Sequence, residues 1–69
     1  MTVEEYRLSL AWSAAELARR AKLTPRTVAR VENGEPVYAH TVAAIARAFS
    51  DALGRTITIR DFDNINLVD

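Results

Sequence analysis

The feature that most constrains this chain is a turn only two residues long. Lys22-Leu23 separates an apolar-striped segment, Ala14 to Ala21, from another that opens at Thr24-Pro25. Each segment carries its own start signal. Ser13-Ala14-Ala15-Glu16 has capping-box spacing, in which the Ser hydroxyl and the Glu carboxylate each meet an orphan backbone N–H. Trp12 just before that cap and Leu17 beyond it have the arrangement of a hydrophobic staple. Thr24 caps the later helix, and Pro25 fills its first position, where a missing N–H costs nothing. The spacing predicts helices over 14–21 and from Pro25 to about Asn33, with Gly34 as a left-handed C-cap. Leu17, Ala18 and Ala21 form the narrow apolar stripe of the first of these two.

The flanking segments read as further short helices. Thr2 followed by Glu5 is a second capping box and predicts a helix from Val3 to about Ala11, with Tyr6, Leu8 and Leu10 as candidates for burial. Glu35 to Ala39 reads as a loop, since Pro36 prevents continuation. From about His40 the pattern Val42, Ile45, Ala46, Phe49, Leu53 is the clearest amphipathic stripe, closed by Gly54. Ile57, Ile59, Phe62 and Ile65 fit a short strand or a short helix; Thr58 with Asp61 three later favours a fifth helical turn over 59–64. Residues 66–69 read as a tail. The expected fold is all-α, a compact bundle of five short helices in one domain over 1–69.

Size limits what such a bundle does. For 69 residues surface scaling gives a folded area of about 4,300 Å² and burial of about 60% of the chain's surface, enough for one small core but not for a deep catalytic cleft. Without cysteine, disulfides and thiolate metal sites are excluded, and an intracellular, cytoplasmic setting is the simpler expectation. No apolar run approaches the ~18 residues of a membrane span. His40, the only histidine, has no neighbour at ligand spacing and reads as a solvated helix-start residue. Ser9 and Ser13 lack a histidine partner, and Asp61, Asp63 and Asp69 do not have calcium-loop spacing. No enzyme activity, metal or cofactor is expected.

Charge is zero overall but divided along the chain. From Arg7 to Glu32, six basic residues face two acids, an excess of four positive charges; elsewhere three arginines face seven acids, an excess of four negative. Such a dipolar molecule can offer a basic face to a polyanion. At about 100° per residue, with Arg26 at 0°, Ala29 falls near 300°, Arg30 near 40° and Asn33 near 340°, while Val28 and Val31 fall near 200° and 140°. One face can therefore seat on a core. The opposite arc carries two arginines, a methyl-sized residue and an amide, an arrangement suited to a DNA major groove, where Arg forks onto guanine O6 and N7. The alternative is a row of ordinary solvated side chains.

The stretch from Trp12 to Gly34, together with Pro36 and the Ile45-Ala46…Phe49 helix, closely resembles the phage-repressor/Cro-like helix-turn-helix family, often termed XRE-type. The resemblance spans about Tyr6 to Leu53 and implies a lambda-repressor-like fold and double-stranded DNA binding by a small transcriptional regulator. It implies base contacts from Pro25, Arg26, Thr27 and Arg30. Phosphate contacts would come from Ser13 and Ala14, through backbone N–H groups at a positive helix end, with Arg20, Thr24, Asn33 and Gly34. It also implies an Arg7–Glu32 ion pair. The residues ask for one independently, because Glu32 falls beside the core face, where a lone carboxylate is costly.

The pattern departs from the family at three positions. Lys22 stands where glycine is usual, adding roughly 1 kcal/mol of strain if the turn needs a positive φ. Ala14 and Pro25 stand where glutamine is common. Two copies on a pseudo-palindromic operator are expected, because one small module buries little DNA. The apolar residues Ile57, Ile59, Phe62, Ile65, Leu67 and Val68 are candidates for the homodimer surface, with Arg55 or Arg60 answering the acids among them. A second reading stays open, a protein-interaction module of antitoxin-like type whose acidic segment 51–69 binds a protein partner.

Overall fold

The computed structural model describes residues 1–68. Four α-helices carry the structure, α1 (Val3–Ser9), α2 (Ala14–Ala21), α3 (Pro25–Glu32) and α4 (Ala39–Leu53). They surround one apolar cluster built on Val3, Leu17, Val28, Val31, Val42, Ile45 and Phe49, each buried at or near completely. The accessible area is 4338 Å², in line with the surface expected for this length. Phe49 is the aromatic hub, with the Tyr6 ring at 5.4 Å, Trp12 at 5.8 Å and Phe62 at 5.9 Å.

The first three helices share one punctuation. Thr2, Ser13 and Thr24 are extended N-caps whose hydroxyls accept the N–H of Glu5, Glu16 and Thr27. Each helix then ends on a left-handed residue, Ala11 (φ 57), Lys22 (φ 59) or Gly34 (φ 75). In all three, two backbone bonds close the end in the Schellman pattern. Trp12 and Ala11 donate to Arg7 and Leu8, Leu23 and Lys22 to Ala18 and Arg19, and Glu35 and Gly34 to Arg30 and Val31. The left-handed residue, an apolar residue and the next cap thus form the entire connection from α2 to α3 (Lys22-Leu23-Thr24), and with Leu10 before them the connection from α1 to α2 (Leu10-Ala11-Trp12-Ser13).

Several expectations need correction. The first helix ends at Ser9, not Ala11. Leu8 is 60% exposed and Leu10 only partly buried, while Val3 is 2% exposed and Tyr6 is buried. The Ser13 box is half made, because the Glu16 carboxylate turns to Arg19 and Arg20. The fifth helix is a single 3-10 turn, Ile59–Asp61. Its Thr58 N–H does bond Asp61 Oδ2 at 2.8 Å. Phe62 then turns extended to bury its ring against Tyr6 and Phe49, so tertiary packing overrides helix continuation.

The fold is also not purely α. Pro36–Val37 (β1) pairs in parallel with Asn66–Leu67 (β2), in the register Pro36 to Asn66 and Val37 to Leu67. The segment expected to be a loop and the one expected to be a tail are thus paired, apart from Asp69, which lies outside the described residues. A further parallel bridge joins Thr2 to Asp63, whose N–H donates to Met1 O at 3.0 Å. The C-terminal segment therefore crosses from the start of α1 to the exit of α3. Ile57 and Phe62 are core residues, so they drop out of the expected homodimer surface.

Candidate nucleic-acid interface

The outward face of α3 is set by what its other face buries. Val28 and Val31 are fully shielded, which leaves Arg26, Ala29, Arg30 and Asn33 exposed on the far side. Pro25 and Thr24 are exposed where that helix begins. Arg26 forms no ion pair among the described residues. Arg30 lies 3.6 Å from Glu35 with both side chains about half exposed, a contact of a kind that contributes little and yields to a stronger partner. Thr27 stands differently from the other three residues expected to reach bases. It is half-buried, its hydroxyl lies 2.9 Å from that of Thr24, and it lines a shallow depression with Arg30, Pro36, Val37, Tyr38 and Thr41.

At the start of α2, Ser13 is exposed and its hydroxyl is committed to the Glu16 N–H, while Ala14 is half-buried against the core. Arg20 is held in place. Its guanidinium lies 4.4 Å from the Trp12 ring centroid and its Nε donates to Glu16 Oε2 at 2.7 Å. Trp12 in turn stacks on Phe49, so the arginine is tied through the indole to the core. Hydrogen bonds from Arg19 and then Arg20 hold the Glu16 carboxyl below its ordinary value.

At the other end of α3, Asn33 is exposed and Gly34 takes the left-handed turn. The C-terminal segment packs beneath this corner. A Cβ on Gly34 would lie 3.2 Å from Asn64 Oδ1, and Asn66 Nδ2 reaches the Gly34 carbonyl at 3.5 Å. Arg7 locks the same corner to α1. Its Nε donates to Glu32 Oε2 at 2.7 Å, its Nη2 to Glu32 Oε1 at 3.1 Å and its Nη1 to Trp12 O at 3.0 Å. The hydrogen bond to Glu32, followed by attraction from Glu32 and Glu4, raises the Arg7 pKa against the opposing effect of burial.

Tyr38 at this surface went unnoticed in the sequence, and its neighbour His40 reads there only as a solvated helix-start residue. Tyr38 is the N-cap of α4, is 58% exposed and makes no side-chain cap bond. Its ring stacks on His40 at 5.6 Å and 9°. The stack borders the depression that Thr27 and Arg30 line. The only available signal was an aromatic two residues after a loop proline, which does not reveal which way the ring faces. Among the described residues no three His, Asp or Glu side chains gather to hold a metal, and no helix is long and apolar enough to cross a membrane.

No curated protein and no solved structure matches the chain. A family model described as helix-turn-helix matches residues 3–59, which takes in α1 to α4 and reaches the start of the 3-10 turn. With most of its length inside that match, the chain belongs to the XRE-type helix-turn-helix family, the DNA-binding regulators of the phage-repressor and Cro kind.

Proposed function

We propose that this domain binds double-stranded DNA sequence-specifically, with α3 in the major groove, and regulates transcription. The observation that carries the reading is the outward face of α3, where Arg26, Ala29, Arg30 and Asn33 are exposed and Arg26 has no carboxylate partner among the described residues. Arg26 and Arg30 read bases, Ala29 lets the helix approach, and Pro25 packs at the helix entry. Thr27 contributes through its methyl group, because its hydroxyl is engaged by Thr24. Ser13, Ala14, Arg20, Thr24, Asn33 and Gly34 hold phosphates on either side, Ser13 and Ala14 through backbone N–H groups at the start of α2.

Two copies act together on a pseudo-palindrome with half-sites about one helical turn apart. Leu67 and Val68, exposed beside half-buried Ile65, form the surface on which they meet. Selection from a randomised duplex pool tests the reading. Enrichment of a paired half-site motif is expected, and a pool that stays random would contradict it. Sedimentation with the selected duplex should give two chains per site; one chain on a non-palindromic site would remove the dimer and leave the recognition helix standing.

A further inference from the structure

The nine Lys and Arg residues divide by what they touch. Arg7, Arg19, Arg20 and Arg30 face carboxylates. Lys22, Arg26, Arg47, Arg55 and Arg60 form no ion pair among the described residues. Lys22 and Arg26 belong to the helix-turn-helix. Two of the other three, Arg47 and Arg60, lie elsewhere, at a groove of about 870 Å³ between α4 and residues 56–60. Both line this groove, and Arg55 directly precedes its lining residue Thr56. No residue of α2 or α3 takes part.

We propose that this groove docks an acidic, amphipathic segment of a partner protein. Its apolar lining comes from Ala43, Ala46, Ile57 and Ile59, which suits an aliphatic side chain. The cations beside that lining suit flanking carboxylates. The nearby acids of the chain do not neutralise them. Asp51 forms no ion pair with Arg47 among the described residues, and the Asp61 carboxylate accepts the Thr58 N–H. The groove is open to solvent, so a small molecule would stay largely wet there, whereas a peptide segment can lie along it.

The groove wall is also fixed in advance. The Ser50 hydroxyl accepts the Ile57 N–H at 2.8 Å and lies 3.2 Å from the Ile57 carbonyl, which pins the extended segment to α4. A wall that is already ordered leaves less conformational entropy to lose on binding.

The test is a titration of the isotope-labelled full chain, followed by backbone amide resonances, with a synthetic leucine–glutamate helical peptide and its lysine counterpart. The glutamate peptide should shift Ala43, Arg47, Ile57 and Ile59. Charge reversal of both rim residues, Arg47→Glu with Arg60→Glu, should weaken it by about tenfold or more while the spectrum stays folded. Equal shifts from the lysine peptide, no shifts, or shifts confined to α2 and α3 would overturn the proposal. Groove shifts that grow with protein concentration alone would assign the site to a second copy, and displacement of the peptide by equimolar octanoate would assign it to a small amphiphile; either also overturns it. Because neither variant touches α3, duplex binding by the doubly reversed chain shows separately whether the DNA reading holds.

Discussion

Arg7 and Glu32 close on each other through two parallel hydrogen bonds, at 2.7 and 3.1 Å, with their side chains only 13% and 11% exposed. The pair joins α1 to the last turn of α3, and the third Arg7 bond, to the Trp12 carbonyl, adds the entry to α2. Removing either partner strands a shielded charge, which costs about 3–5 kcal/mol, a large share of the stability of a domain this small. Arg7→Ala and Glu32→Ala should therefore each lower the urea midpoint strongly. A double-mutant cycle should give coupling above about 1 kcal/mol, and a value below about 0.5 kcal/mol would contradict a shielded pair.

Of the four helix-ending left-handed positions, Ala11, Lys22, Gly34 and Gly54, the first two hold residues with a Cβ. Lys22→Gly and Ala11→Gly should each stabilise the fold by about 0.5–1 kcal/mol, since glycine adopts positive φ without strain. Gly34→Ala should do the reverse, by about 1–2 kcal/mol, because its φ is 75° and its new Cβ would crowd Asn64. Urea midpoints at an unchanged m-value read all three.

What the sequence disclosed follows from how local each signal is. Ser13, Thr24, Pro25 and Gly34 punctuate α2 and α3 through neighbours three or four residues away, and the boundaries of both helices are legible to within a residue. The α4 stripe is legible for the same reason, by its period. The pairing of Pro36–Val37 with Asn66–Leu67 is not, because two-residue strands have no period and their partner lies about thirty residues off. Phe62 shows the same limit, since its Thr58–Asp61 start signal is real but its ring belongs beside Tyr6 and Phe49. At the candidate interface, the wheel placed Arg26 and Arg30 outward. It carried no information on the Thr24–Thr27 hydroxyl contact or on the Tyr38–His40 stack.

The Ser50 hydroxyl accepts the Ile57 N–H at 2.8 Å and donates to the Ala46 carbonyl at 2.8 Å, with the Ile57 carbonyl 3.2 Å away. Ser50→Ala leaves the shielded Ile57 N–H without that partner and should cost about 1–3 kcal/mol. Hydrogen exchange at the Ile57 amide should accelerate well beyond what the global loss explains. Exchange that merely follows global stability would show that Ser50 does not hold this segment.

Glu16 sets the acid response of α2. Its folded-state carboxyl lies below the ordinary value of 4.5 because Arg19 and Arg20 bond it. Its contribution is thus present above about pH 4.5 and is lost as pH falls through the lower folded value. Glu16→Gln should flatten the stability profile below about pH 4.5 and leave the slope near neutrality unchanged. The effect is small, since the pair is largely solvated, and an identical acid limb in the variant would mean the contacts are not kept in solution.

The central claim is that the exposed face of α3 reads base sequence. It is tested most directly by the affinities of the wild type, Arg26→Ala and Arg20→Ala for a selected duplex and for random duplex at fixed salt. Arg26→Ala should lose about 1–3 kcal/mol on the selected duplex and far less on random DNA. Arg20→Ala should weaken both alike and lower the salt slope by about one unit. Equal, sequence-blind losses from both substitutions would contradict the assignment of α3 as the recognition helix.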